Sequence, residues 1–255
     1  MERSDATSGS DPIKSVRLSV DQWMACGPGL ETQADWIAWA RGAAVRAASS
    51  RIPVALPAIL RRRVTAVGQM AFRTACALSV PDAARFIFCS RHGEFQRTLG
   101  ILTALATSEP VSPAEFSLSV HNALAGLLSI AWHNRAGHTT IAAGADSFRS
   151  ALIEAASCLI EQPDEPVLLV YYEDRLTAPY DEVADSDDTC VALAMVLTAP
   201  RHDVSDVILE LAPCATVAAA ESASDQARAF LRFLLTDEPA GGPGSEPPDR
   251  RWRRG

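Results

Sequence analysis

The sequence predicts an α/β protein whose sheet is mainly parallel and buried. One observation is that residues 167–172 (VLLVYY) form an uninterrupted apolar run of strand length, which is typical of a strand covered on both faces. Another is that such runs alternate along the chain with longer stretches whose apolar residues have helical spacing. The 255 residues are 48% hydrophobic, so the chain can bury a real core as one large domain or two small ones.

The first half of the chain begins with a polar leader, residues 1–14, which we expect to be flexible. Residues 16–26 alternate and then become apolar, which predicts a strand that ends at the turn of Gly27, Pro28 and Gly29. Two prolines make residues 52–60 a loop. The other predicted elements of this half are helices over residues 32–48, 61–78 and 95–106 and a buried strand over residues 84–89.

The second half predicts helices over residues 120–134, 147–161 and 223–235. Because no helix separates the last two predicted strands, we expect them to form an antiparallel edge. Residues 237–255 are rich in proline and glycine and then basic, so we expect a disordered tail after a folded domain over residues 15–236. The strands predicted for this half are residues 139–143, 167–172, 190–198 and 207–211.

Composition excludes several classes of function. The net charge of −8 argues against general nucleic-acid binding, and no apolar stretch approaches the roughly 18 residues of a membrane span. The polar N-terminus lacks the apolar core of a signal peptide, so we expect a cytoplasmic protein. Six cysteines without a CxxC pair predict buried, reduced thiols, and without HExxH or Cys/His spacing we expect no metal and no cofactor.

The most informative stretch is residues 112–174, where several short motifs occur in a fixed order. They are followed by a strand of small residues, a helix, and an apolar strand that ends in an acid. In this order the stretch resembles the β-ketoacyl synthases of the thiolase fold. That resemblance implies half of a thiolase-like fold, with a mixed five-stranded sheet of order 3-2-1-4-5 and helices on both faces. The motifs are Ser112-Pro113, Asn122, Ala125-Gly126 and Arg135-Ala136-Gly137.

The chain departs from that family at the catalytic position. The synthases place a nucleophilic cysteine at the start of the helix, where free N–H groups and the helix dipole stabilise a thiolate. Counting from Arg135, the matching position is Ala145, a lost nucleophile, although an alanine also suits a tight strand-to-helix turn. The synthases continue into a second half that supplies two histidines and a lysine. We expect no room for it here, and Lys14 is the only lysine of the chain.

The chain resembles a narrower group, the β-ketoacyl synthase chain length factors of aryl-polyene-type gene clusters. The resemblance lies in both departures and in the segments SLSVHNALAGLLSIAW and AAGADSF. The resemblance implies a subunit that is not an enzyme on its own. It would pair with an active ketosynthase in a pseudo-symmetric heterodimer for fatty-acid or polyketide-type chain elongation, and would help to bound the pocket for the growing chain.

The resemblance also implies a subunit interface. In the thiolase fold the strand before the nucleophile lies at the sheet edge and pairs with the same strand of the partner. The small, apolar composition here suits burial against another subunit, and the alternative is an interior strand of a monomer. The residues concerned are Thr139, Thr140, Ile141, Ala142 and Ala143.

Other polar residues have two interpretations each. Three arginines are candidate contacts with an acyl carrier protein or with the partner subunit: Arg61, Arg62 and Arg63. The alternative is that they form the solvated first turn of a helix, where the positive end of the helix dipole mildly disfavours positive side chains. His92, two residues before Glu94, is a candidate contact or a catalyst.

Ser147, after Asp146, is a candidate nucleophile, but Asp and Ser at a helix start are more typical of an N-terminal cap. The alternative functions are therefore a small acyl hydrolase or transferase that uses Ser147 or His92, and a homodimeric scaffold without a ketosynthase partner.

Overall fold

One mixed sheet forms the centre of the molecule. The computed structural model describes residues 15–43, 61–183, 190–201, 206–210, 223–236 and 252–254. The strands of these residues form a single sheet of order β3-β2-β4-β5-β1-β6-β7. They are β1 (Ser15–Cys26), β2 (Arg85–Cys89), β3 (His138–Ile141), β4 (Val167–Glu173), β5 (Val191–Thr198), β6 (Asp206–Glu210) and β7 (Trp252–Arg254).

Helices cover both faces of this sheet. The helices that the structure describes are α1 (Gln33–Ala40), α2 (Ala66–Cys76), α3 (Phe95–Ala106), α4 (Pro113–Ser117), α5 (Ala123–Ala131), α6 (Ser147–Glu161) and α7 (Ala223–Leu235). On one face, α6 and α7 pack on side chains such as Leu169 and Tyr171; on the other, α2 and α5 pack on Leu168 and Val170. Since β4 alternates between two apolar layers, its continuous apolar sequence is explained. None of the described helices has the length and apolar character that a membrane span requires.

The predicted fold class is confirmed, but the predicted number and order of strands are wrong. The described sheet has seven strands, and its order is 3-2-4-5-1-6-7 rather than 3-2-1-4-5. Strand β2 runs parallel to β3 and β4, whereas β5 runs antiparallel to both β4 and β1. The last two predicted strands therefore flank β1 instead of forming an edge pair. The reason is burial: all of β5 except its last residue is buried, and an edge strand would expose one side.

Local capping decides where two helices begin. Thr65 caps α2, since its hydroxyl accepts a hydrogen bond from the N–H of Gly68, so α2 starts at Ala66 and not at residue 61. Thr32 and Asp35 form a capping box at α1, which ends at Ala40. The predicted continuation of α1 to residue 48, the leader over residues 1–14 and the loop over residues 52–60 lie outside the described residues.

A short part of the predicted tail belongs to the sheet. Strand β7 pairs antiparallel with β6, and the buried Trp252 packs edge-on against Phe230 of α7 with ring centroids 5.2 Å apart. Residues 252–254 therefore differ from the expected disordered tail. Because Trp252 joins the same apolar layer as α6 and α7, the folded part of the chain extends past residue 236.

Candidate functional site

A tight turn between β3 and α6 carries Ala145. Strand β3 ends at Ile141, a 3₁₀ turn covers Gly144–Asp146, and α6 begins at Ser147. Gly144 has a φ of +60°, a left-handed conformation that glycine adopts without strain. Ala145 is partly exposed immediately before the α6 N-terminus. A side chain at this position lies where the free N–H groups of the helix concentrate positive potential.

Ser147 closes this turn rather than facing solvent. The residue is fully buried, and its hydroxyl accepts from the Ala143 N–H at 2.9 Å and donates to the Gly144 carbonyl at 2.7 Å. The Asp146 side chain does not cap α6, so the expectation of an Asp-Ser cap pair is wrong for Asp146. The Asp146 carboxylate instead accepts from Gln226 of α7 at 3.4 Å. A buried hydroxyl engaged by two backbone groups is poorly placed to attack a substrate.

Strand β3 lies at an edge of the sheet, as predicted. The carbonyls of Gly137 and Ile141 accept hydrogen bonds from the N–H groups of Phe86 and Ser90, at either end of β2. Backbone groups alternate in direction along a strand, so those of His138 and Thr140 point to the open side. Thr139, Thr140 and Ile141 are half-buried, and Ala142 and Ala143, which follow the strand, are exposed.

Helix α5, which packs on this edge, belongs to a nearly uncharged segment of the chain that exposes large apolar side chains. From residue 98 to residue 134 the only charged side chains are Glu109 and Glu115. Helix α5 packs against β2 and β3, and α3 and α4 pack against each other. Large apolar side chains point to solvent from this region, although burial would be expected for most of them. They are Leu102, Leu105, Phe116, Val120 and Ile130, of which Phe116 and Ile130 are about two-thirds exposed, at 66% and 67%.

The loop that contains His92 is held by a buried carboxylate. Glu173, at the end of β4, accepts hydrogen bonds from the Arg91 N–H at 2.6 Å and the His92 N–H at 3.1 Å, and from the Ser90 hydroxyl at 3.3 Å. Gly93 follows with a φ of +63°. The loop is therefore fixed at the carboxyl ends of β2 and β4, the end of a parallel sheet where ligand sites usually lie.

Glu94 belongs to a different network from His92. Its carboxylate accepts from the N–H and the hydroxyl of Thr65, at 2.9 and 2.6 Å, and lies 3.4 Å from Nε of Arg97. Arg97 also donates to the Arg63 carbonyl at 2.7 Å and pairs with Glu115 of α4. Glu94 and Arg97 are each only 7% exposed. This buried pair joins α3, α4 and the segment before α2.

Comparison with known proteins identifies the family of this chain. The family described as Beta-ketoacyl synthase, N-terminal domain matches residues 36–252, which is most of the chain. The chain belongs to the β-ketoacyl synthase N-terminal domain family. Curated protein sequences show no match to it.

Solved structures of ketosynthase complexes resemble this family member. One chain of the complex between the ketosynthase ApeO and its chain length factor ApeC, from Xenorhabdus doucetiae, is 28% identical with a TM-score of 0.72. The match covers 88% of this chain and 93% of that one. The ishigamide ketosynthase/chain length factor is 17% identical, with a TM-score of 0.57, covering 76% of this chain and 65% of that one.

A third structure contains the type II polyketide synthase complex AntDE:AntF, an acyl-carrier protein with its ketosynthase bound to the hexaketide. It is 14% identical with a TM-score of 0.55, covering 73% of this chain and 63% of that one. At these low identities the second and third structures establish the thiolase-like fold alone.

Four of the described thiols in this ketosynthase-family chain are poorly suited to nucleophilic chemistry. Burial raises the pKa of the Cys26 thiol to about 11 and that of Cys190 to about 12, and it also raises the pKa values of Cys89 and Cys158. The thiolate is the reactive form, so these four thiols are almost entirely unreactive near neutral pH. Within the described ranges no group of histidine, cysteine and acidic residues could hold a metal ion.

The sequence-predicted site residues do not form one cluster. Ala145 and residues 139–143 lie together around the β3 edge and its turn, and His92 is held on the neighbouring loop. Arg61, Arg62 and Arg63 are exposed on the segment before α2, so they are not in the first turn of that helix. Sequence reasoning missed Glu173 and Arg97, and the only signal for Glu173 was an acid at the end of an otherwise apolar strand.

Proposed function

We propose that the chain is a non-catalytic ketosynthase-like subunit, a chain length factor, that pairs with an active β-ketoacyl synthase. The observation that carries this proposal is Ala145, an alanine at the start of α6, where a thiolate would gain most from the helix N-terminus. The Ape match supports it as well, since that structure is a ketosynthase with its chain length factor and the two aligned chains are of nearly equal length.

The surface around β3 supports a heterodimer. Among the described strands β3 has an unpaired edge, and the chain also exposes large apolar side chains between residues 98 and 134. Both are liabilities for an isolated protein, because an unpaired edge can pair with another strand and exposed apolar surface favours association. A partner that adds a strand to β3 would pair with the backbone groups on its open side and cover Ile130 of α5, the helix that packs on β3. We therefore place Thr139, Thr140, Ile141, Ala142 and Ala143 in the interface.

The chemistry would then belong to the partner. The active ketosynthase's cysteine would attack the thioester of a carrier-bound acyl chain, and its histidines would polarise the carbonyl as in an oxyanion site. This chain would contribute packing and one wall of the pocket for the growing chain, as in fatty-acid or aryl-polyene elongation. We place the complex in the cytoplasm, where thiols stay reduced.

Co-expression with an active β-ketoacyl synthase from the same gene cluster, where the cluster encodes one, should give a stable 1:1 complex by size-exclusion chromatography with light scattering. Incubation with an acyl thioester should label the ketosynthase's cysteine, and intact mass should show no adduct on this chain. A chain that remains a monomer or forms only a homodimer would contradict the proposal.

The same acyl-labelling experiment also tests the alternative that this chain is itself an acyl hydrolase or transferase. An acyl adduct on this chain that disappears with Ser147→Ala would support an independent acyl enzyme. The burial of Ser147 and its two backbone hydrogen bonds favour the opposite result.

Replacing Ala145 with cysteine should create a thiol more reactive than the buried Cys26, Cys89, Cys158 and Cys190. The side chain is partly exposed at a helix N-terminus, so its pKa should lie at or below the ordinary value of about 8.5. At pH 7.5 we expect alkylation by iodoacetamide about a hundredfold faster than at Cys26, measured by peptide mass mapping. Labelling of Cys26 should increase only as the pH approaches its raised pKa of about 11. An introduced thiol no faster than Cys26 would contradict this placement.

A further inference from the structure

Strand β7, at the edge of the described sheet, is held by contacts of its own. It pairs antiparallel with β6, where Trp252 lies opposite Leu209, a residue more than 40 positions earlier in the chain. The 15 residues 237–251 separate it from α7 and its last hydrogen-bonded turn. Since no neighbouring element of the sequence fixes its position, the attachment of β7 depends on the groups that it buries.

Trp252 anchors this strand. Its side chain is 6% exposed and belongs to the apolar layer in which α6 and α7 cover the sheet. Its ring packs edge-on against Phe230 of α7, with the ring centroids 5.2 Å apart. Nε1 of Trp252 is buried without a hydrogen-bond partner among the described residues, so the indole is held through its apolar surface and its shape.

Arg254 makes a second contact with α7, at the end of that helix. Its guanidinium donates to the carbonyls of Phe233 and Leu234, at 3.3 and 2.9 Å. Carbonyls of a last helical turn have no N–H partner within the helix, so a cation is favoured there. The guanidinium also lies over the Phe233 ring, 5.2 Å from its centroid. Trp252 and Arg254 are two positions apart, so a strand presents both to the face that α7 covers.

We propose that β6 and the end of α7 form a binding site for an extended peptide of the pattern Trp-X-Arg, and that residues 252–254 are the ligand that occupies it in this structure. The site has the parts that strand-addition recognition requires, a strand edge for the backbone and separate contacts for alternate side chains. Strand β6 supplies the edge, Phe230 contacts the indole, and the last carbonyls of α7 accept from the guanidinium. The site lies at the opposite edge of the described sheet from β3, so it is independent of the proposed pairing with a ketosynthase.

Such a strand can leave its site while the rest of the sheet stays paired. Strand β7 has three residues, and among the described strands it pairs with β6 alone. Strand β6 also pairs with β1, along its whole length from Asp206 to Glu210. Detachment of β7 therefore opens one layer of contacts and leaves the other six strands in place.

The test measures binding of a fluorescein-labelled peptide, RRWRRG, to the whole chain by fluorescence anisotropy. The peptide has the sequence of residues 250–255. Trp252→Ala in the chain removes the anchor of its own strand and makes the site available to the peptide. A tethered segment has an effective concentration of about 1 mM, so a peptide with a Kd of about 10 µM should bind the wild type about a hundredfold more weakly than this variant.

Two altered peptides separate recognition from charge. The peptide is basic and the chain carries −8, so charge alone produces some attraction. A peptide with Trp252→Ala has the same charge and should bind the Trp252→Ala chain at least about 30-fold more weakly than the original peptide. A peptide with Arg254→Gln should bind about tenfold more weakly, because it loses the charged contacts with the α7 carbonyls and the Phe233 ring.

Amide hydrogen exchange of the wild type, measured by NMR, tests detachment without any variant. The amides of β7 should exchange faster than those of β4, because β7 opens locally and β4 lies inside the sheet. Exchange of β7 only through global unfolding would overturn the proposal. A folded Trp252→Ala chain that does not bind the peptide, or that binds the original and the Trp252→Ala peptide equally, would overturn it as well.

Discussion

Replacing Arg97 with alanine should lower the free energy of unfolding by about 3–5 kcal/mol, because it breaks a buried ion pair and leaves one charge behind. Arg97 and Glu94 are both buried, with Nε of Arg97 3.4 Å from the Glu94 carboxylate. Without the guanidinium, that carboxylate keeps only the hydrogen bonds from Thr65, and the Arg63 carbonyl loses its 2.7 Å donor. Urea unfolding followed by circular dichroism measures the change.

Glu115→Ala is the matched control for Arg97. Glu115 pairs with the same guanidinium, but its side chain is half exposed, so the variant should lose less than about 1 kcal/mol. An Arg97→Ala variant no less stable than Glu115→Ala would show that the Glu94 pair does not hold these segments together. If α4 is fixed by Arg97, the alanine variant should also make α4 and the residue 61–65 segment exchange amide hydrogens faster than in the wild type.

The helices that the sequence predicted best are those with local signals. Helices α3, α6 and α7 begin and end where predicted, because apolar spacing and nearby turn residues define their bounds. Strands β2 and β4 also lie within one residue of their predicted positions. Such elements need no information from distant parts of the chain.

The strand order required information that local patterns do not contain. The sequence shows β5 as a continuous apolar run, but whether it lies beside β1 or at an edge depends on pairing between residues more than 160 positions apart. The same is true of the site. Arg97 contacts residues 34 positions before it and 18 after it, and Glu173 holds a loop more than 80 positions away. The turn with Ala145 was predictable because its elements are consecutive.

Thr140→Pro should abolish pairing with the ketosynthase while leaving this chain folded. The backbone of Thr140 points to the open side of β3, so proline there removes an N–H that β2 does not use. The expected cost to this chain is about 1 kcal/mol, for the narrower φ range of proline. If a partner strand pairs with β3, it would lose a backbone hydrogen bond and meet the proline ring. Size-exclusion chromatography of the co-expressed chains should then show an affinity at least about a hundredfold weaker.

Two control variants, one at the same residue and one at its neighbour, separate loss of strand pairing from other effects of the substitution. Thr140→Val keeps the N–H and should retain the complex, which separates backbone pairing from loss of the hydroxyl. Thr139→Pro removes an N–H that faces β2, so it should lower stability to urea whether or not a partner binds. A Thr140→Pro variant that still forms a 1:1 complex would exclude strand pairing at β3. The exposed apolar side chains of α3, α4 and α5 would then be the next candidates for the contact with the ketosynthase.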